Sequence, residues 1–180
     1  MKLVLDESQS SIRIRTFAEG LFARLAHDLE LRCGGLSASG ILDRGAGRGS
    51  CIVEVRLGAI EVTGVLANGT VDARALSTSD RRDILEKMRR EVFHASADAI
   101  VQIAGSRDPS PEILVTVPNG RTVKVNPRAT VEHGDTSVRV EGQCELSLRA
   151  LGSDNVKGPM GAFRVKDRVE VLFDLRFRRE

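Results

Sequence analysis

The sequence predicts a mainly β chain of about eight antiparallel strands, closed as a barrel or stacked as a sandwich, with one amphipathic helix near its middle. Three observations carry this. Apolar and charged residues alternate in short runs over most of the 180 residues, and turn signals separate the runs. A single stretch, Ser79 to Phe93, breaks the alternation with apolar residues at three- and four-residue steps. No linker, repeat or low-complexity tract divides the chain, so residues 1–180 read as one domain.

The first strand is Ile12-Arg13-Ile14-Arg15-Thr16-Phe17, half apolar and half charged. Gly20 to Asp28 is less regular, a bent connection or a short helical turn. Leu29, Leu31 and Cys33 then resume the alternation. Asp43 to Ser50 is rich in glycine, but no Gly-Lys-Ser/Thr follows, so it reads as a hairpin loop and not as a phosphate loop. Cys51, Val53, Val55 and Leu57 share a face, and Ile60 to Leu66 continues beyond a kink at Gly58. Asn68-Gly69 is a tight turn.

In the helix, Ile84, Leu85, Met88 and Val92 make one stripe. Asp80 and Asp83 open it and Arg89 and Arg90 close it, as the dipole favours, with Ser79 or Asp80 as the expected N-cap. Asp83 with Lys87, and Glu86 with Arg90, are expected ion pairs. Ala99 to Ala104 follows as a strand. The loop at Pro109 and Pro111 precedes a hairpin, Glu112 to Val117 and Thr122 to Val131, turning at Pro118-Asn119-Gly120. His133-Gly134-Asp135 leads into Ser137 to Glu141, and Cys144, Leu146 and Leu148 share the next face. The clearest strand comes last: Val169, Val171, Phe173, Leu175 and Phe177 against Arg168, Glu170, Asp174, Arg176 and Arg178, with Leu172 the exception.

A formal net charge of +2, scattered basic residues, six Phe and no Tyr or Trp supply neither the basic patch nor the stacking aromatics of a nucleic-acid binder. Cys33, Cys51 and Cys144 are odd in number and form no Cys-x-x-Cys pair. Each sits in an apolar alternation, so they are read as free thiols packed as small hydrophobes in a reducing compartment. Acids at Asp6 and Glu7 interrupt any signal-peptide core, and no run approaches the roughly 20 apolar residues of a membrane span. The expected location is cytoplasmic.

Candidate chemistry is sparse. His27 beside Asp28 has the elements of a general base, which is the enzyme alternative, acting on a small apolar substrate. No second nitrogen or sulfur ligand stands near it, whereas a catalytic zinc needs about three protein ligands. His27 is therefore read as structural, with no catalytic residue, metal or cofactor assigned. His94 reads as a helix C-cap and His133 as a solvated turn residue. No serine elbow occurs. The sheet's inner face is the stronger candidate: Ile12, Ile14, Leu29, Leu31, Val53, Val55, Leu146, Leu148, Val171 and Phe173 share it. A barrel of about eight strands is either filled by side chains or holds one small ligand, and filling it without Trp or Tyr is harder. A sandwich with a solid core, serving as a ligand-free interaction module, stands beside that reading.

Several segments, in order, resemble the YceI-like family. They are Leu5-Asp6-Glu7-Ser8-Gln9-Ser10-Ser11-Ile12 with its Asp-x-x-x-Ser pattern, then Leu25-Ala26-His27-Asp28-Leu29. After these come the Ser79–Phe93 helix leading into Ala99 to Ile103, and Met160 to Val171. The resemblance implies a lipocalin-like antiparallel barrel holding an isoprenoid lipid, such as a polyprenyl phosphate or a quinone tail, and it implies homodimers. Burying roughly 400 Å² of tail at about 25 cal/mol/Å² gives a gross gain on the order of 10 kcal/mol, much of it offset by association costs. Three departures stand out: no secretion signal, aliphatic Leu3-Val4-Leu5 in place of an aromatic, and Leu29 where one branch has a second His. The expected function is non-enzymatic lipid binding. Ile14, Leu29, Leu31, Val53, Val55, Leu146 and Phe173 would hold the tail. Leu85 and Met88 would face it from the helix, and Phe17, Phe22, Phe93 and Phe163 would gate it. Arg24, His27 or Lys157 would meet a head group.

Overall fold

Alternating runs become strands, and four of the runs are each broken once. The computed structural model describes residues 1–20, 27–43, 47–107, 110–153, 156–157 and 164–180. The strands are β1 (Lys2–Leu5), β2 (Ser11–Thr16), β3 (Ala18–Glu19), β4 (Leu29–Cys33), β5 (Ser37–Asp43), β6 (Arg48–Arg56), β7 (Ile60–Ala67) and β8 (Thr70–Asp72). The helix α1 (Thr78–Met88) follows. Then come β9 (Ile100–Arg107), β10 (Pro111–Thr116), β11 (Thr122–Val125), β12 (Arg128–His133), β13 (Ser137–Ser147), β14 (Arg164–Val165) and β15 (Arg168–Arg179).

Among the described residues, thirteen strands form one sheet in the order β11-β10-β9-β6-β5-β1-β15-β2-β4-β7-β8, with β13 joining β12 to β15. β3 and β14 form a separate pair. Every pairing is antiparallel. The expected eight strands are thus a coarser version of this sheet. β1 and β2 are one run broken by a 3-10 turn at Glu7–Gln9, and β6 and β7 one run broken at Leu57–Ala59. β4 and β5 are separated by Gly34, Gly35 and Leu36, with Gly35 at φ +59, a backbone that favours glycine. β11 and β12 are separated by Asn126 and Pro127.

That last break corrects the expectation of a closed barrel. β11 bonds to β10 and β12 to β13, so the chain crosses from one flank to the other covalently and the ladder does not close. Proline at 127 has no N–H to contribute there.

The Asp-x-x-x-Ser pattern proves to be the brace of the first break. The Ser8 hydroxyl donates to Asp6 Oδ1 at 2.6 Å, and Ser10 Oγ donates to the Asp6 carbonyl at 2.7 Å. Ser10 Oγ also accepts the Arg176 N–H at 2.9 Å, which ties the turn to β15.

The helix starts two residues before its expected beginning. Ser77 is the N-cap, and a reciprocal capping box joins it to Asp80, whose N–H donates to Ser77 Oγ at 3.1 Å. Past Met88 the chain widens into a π-type turn, Arg89–Phe93, ending at His94 in the left-handed region (φ 49), so His94 is a C-cap as expected. The expected ion pairs are replaced: Lys87 and Arg90 both meet Glu91, at 2.7 and 3.2 Å, and Arg82 meets Asp83 at 3.3 Å. Arg81 anchors the helix on the sheet by donating to the carbonyls of Val62, Thr63 and Ala73.

The broken strands divide the molecule in two. Beneath α1, Leu31, Val62 and Val65 are buried, and Ile84, Leu85 and Met88 pack against that core. β1, β2, β5, β6, β9, β10, β12, β13 and β15 surround a cavity, which Cys33 of β4 and Ile60 of β7 also line.

Candidate functional site: an apolar cavity with a polar rim

Strand parity decides what faces the cavity. From β15 come Val171, Phe173, Leu175 and Phe177, and opposite them on β13 stand Val138, Val140, Cys144 and Leu146. β6 gives Cys51, Val53 and Val55, and β9 gives Val101 and Ile103. β10 gives Ile113 and Val115, while β12 gives Ala129 and Val131. Leu3 of β1 and Ile12 and Ile14 of β2 complete the wall. The cavity is about 210 Å³, taken as the space open to the centre of a water molecule.

One end is closed. Phe93, at the end of the π-type turn, and the almost fully buried Leu151 and Ile60 form the floor. His94 Nε2 lies 3.4 Å from the Gly152 carbonyl, holding these two segments together. The other end opens beside Asp43, Arg48, Arg107, Pro111 and His133, at the ends of β5, β6, β9, β10 and β12. Its rim includes Ile41, which is 62% exposed, with Ser50, Ser106, Arg107, Glu112 and His133.

Titratable groups are distributed accordingly. Among the described residues, Arg107, Glu112 and His133 are the charged or ionisable side chains on the rim, and Lys124 pairs with Glu112. Deeper in, among the described residues, the ionisable groups along the wall are the thiols of Cys33, Cys51 and Cys144, all free. Burial pushes Cys33 up to about 12 and Cys144 up to about 11, and it raises Cys51 too. All three are neutral near pH 7 and act as small hydrophobes, as the sequence implied. Gly105 makes room for Cys51: a Cβ at 105 would lie 3.2 Å from its sulfur.

The sequence-predicted residues separate between the halves. Ile14, Val53, Val55, Phe93, Leu146 and Phe173 line the cavity. Leu29, Leu31, Leu85 and Met88 do not; they belong to the packed region under the helix. Their side chains share the sheet's inner face, but α1 fills the space in front of them. Phe17 is also displaced, lying near β3 and β14 with Lys166 Nζ 5.9 Å from its ring centroid. Phe22, Phe163 and Arg24 lie outside the described residues. Lys157 is absent from the cavity lining.

His27 is exposed, and Asp28 accepts the Ala18 N–H at 2.9 Å. Neither lines this cavity. Among the described residues, no cluster of three His, Cys, Asp or Glu is placed to hold a metal.

Sequence reading missed the walls from β10 and β12 and the rim residues Arg107 and His133. The run Ile113-Leu114-Val115 is apolar on both faces, so parity there was hidden. Only the structure shows Leu114 exposed and its neighbours turned inward.

No family model matches the sequence, and no curated protein does. Two solved structures share the architecture over nearly the whole chain. BcnA from Burkholderia cenocepacia is 14% identical with a TM-score of 0.64, covering 96% of this chain and 98% of its own. A polyisoprenoid binding domain from Saccharophagus degradans, implicated in plant cell wall breakdown, is 12% identical with a TM-score of 0.65, covering 99% and 98%. The chain has the YceI-like fold. No helix among the described residues is long and apolar enough to cross a membrane.

Proposed function

We propose that this chain binds and carries an apolar lipid of the polyisoprenoid type in its cavity, without catalysing a reaction on it. The carrying observation is the wall itself: aliphatic side chains from ten strands and three neutral thiols, with charge confined to the rim. Such a surface rewards burial of hydrocarbon in proportion to area, and among the described residues its aliphatic depth offers a bound molecule no ionised base or nucleophile. The Saccharophagus degradans neighbour, described as a polyisoprenoid binding domain, supports the ligand class. Cytoplasmic residence and homodimer formation belong to the same proposal, the latter checked by sedimentation.

The test is direct. Protein purified from cells is extracted with organic solvent, and the extract is analysed by mass spectrometry. A prenyl lipid near one per chain is expected. A clean extract, together with no uptake of an apolar fluorophore such as N-phenyl-1-naphthylamine, overturns the reading.

A further inference from the structure

Arg107 and His133 reach the rim by strand parity and are not incidental surface residues. On β9, Val101, Ile103 and Gly105 face inward, so Arg107 continues that row at the cavity's open end. Its cross-strand neighbours are Gly49 and Pro111, which have little side chain to fill the space beside it. On β12, Ala129 and Val131 face inward, and His133 ends the row opposite the buried Val138. Of the charges around the rim, the acid is already answered, since Glu112 pairs with Lys124. Arg107 forms no ion pair among the described residues.

The interior sets a second limit. A dry cavity of roughly 150 Å³ holds one benzene, about six carbons. At that occupancy the 210 Å³ here holds about eight carbons, a little under two isoprene units. Phe93, Leu151 and Ile60 close the far end, so a ligand whose head stays at the rim has no route for a longer tail.

We infer that the ligand is a short-chained amphiphile with an anionic head, a carboxylate or phosphate. The head is held at the mouth by Arg107 and His133, and a tail of about two isoprene units runs down to Phe93. This rests on the lipid-binding reading and adds polarity and length to it. Arginine suits the role because its guanidinium can meet two oxygens of one anion at once. The uncharged tail then finds a wall that needs no hydrogen bond from it.

Three probes separate the parts: geraniol, geranyl monophosphate and geranylgeranyl monophosphate, each titrated calorimetrically into the delipidated full chain. Geranyl monophosphate is expected to bind roughly three- to tenfold tighter than geraniol, as a partly exposed charge contact allows. Arg107→Gln and His133→Gln should each shrink that advantage while leaving geraniol affinity and the melting temperature unchanged, since both side chains are exposed. The C20 phosphate should gain little over the C10 one. Equal affinity for alcohol and phosphate, or an advantage that survives both substitutions, overturns the head-group assignment. Affinity that climbs by orders of magnitude from C10 to C20 overturns the length, because burying ten further carbons gives that much. If none of the three binds, the lipid-binding reading itself falls.

Discussion

The same broken strands run through two regions that solve the problem of an apolar inner face differently. Under α1 the face is covered by a helix: Leu31, Val62 and Val65 are buried, and Ile84, Leu85 and Met88 close over them. Away from α1, the face from β1, β2, β5, β6, β9, β10, β12, β13 and β15, with Cys33 of β4 and Ile60 of β7, curves around a space that side chains leave unfilled. Both are equally apolar, so hydrophobicity does not separate them. What separates them is whether an element is available to plug the face. The helix has its stripe on one side only, and Arg81 ties it to β7. It seals a core, and only its last residues, through Phe93, reach the cavity.

The largest expected difference between the regions is in the cost of truncation. Leu57 is fully buried at the break between β6 and β7, where its N–H donates to the Ala99 carbonyl at 2.9 Å. Leu57→Ala opens a void in close-packed surroundings and is expected to cost about 2–5 kcal/mol in chemical denaturation. Val140→Ala, in the cavity wall, removes two carbons beside space that is already empty, so it should cost about 1 kcal/mol. Equal costs would mean that the cavity wall is as tightly packed as the core.

Next is Gly142, in mid-strand on β13 opposite Phe173. A Cβ there would lie 2.4 Å from the Arg128 carbonyl oxygen and 2.8 Å from Phe173 Cζ. Glycine lets the ring lie across the strand and keeps the wall thin, so Gly142→Ala is expected to cost about 1–3 kcal/mol by overpacking. A neutral result would show that the Phe173 ring moves into the cavity at no cost.

How much of this division was legible in the sequence follows from what each pattern reports. The 3.6-residue period at Ile84, Leu85, Met88 and Val92 announced the helix, and Asn68-Gly69 announced its hairpin, with both residues at positive φ. β15 was readable because one face is almost purely charged. Alternation cannot show a break that preserves parity, however, so Thr122 to Val131 was read as one strand across Asn126 and Pro127, and a closed barrel was expected. Nor can it tell which inward residues an element elsewhere in the chain will cover. Leu29 and Leu31 look the same as Ile12 and Ile14 in sequence; only the docking of α1 distinguishes them. His133 was read as a solvated turn residue because its place at the end of an inward row depends on pairing with β13.

Filling tests the same contrast in reverse. Val140→Phe adds volume where space exists, so stability should change by less than about 1.5 kcal/mol while uptake of an apolar fluorophore is lost. Val62→Phe adds similar volume beneath the helix, where it meets packed side chains, and should cost about 1–3 kcal/mol without touching uptake. Loss of uptake in both variants would join the two regions into one site.

The smallest effect concerns the seam that the regions share. β15 pairs with β1 along its end and with β2 along its middle, and three carboxylates brace it. Asp174 is held below its ordinary value near 3.8 by hydrogen bonds from Arg139, at 2.9 and 2.8 Å. Asp167 is lowered first by the Arg149 N–H at 2.8 Å and then by Ser147. Asp6 is lowered first by the Ser8 hydroxyl. A folded pKa below the unfolded one contributes stability that is fully present above the unfolded value and disappears as pH falls through the folded one. The melting temperature should therefore stay level from pH 7 to about 5 and fall from about pH 4 downward. Asp174→Asn should lower it at neutral pH yet flatten the acid slope, because the substituted side chain has no proton to gain. If that slope is as steep in the variant as in the parent, acid acts elsewhere than on this seam, and the two regions are not held together by β15's charged face.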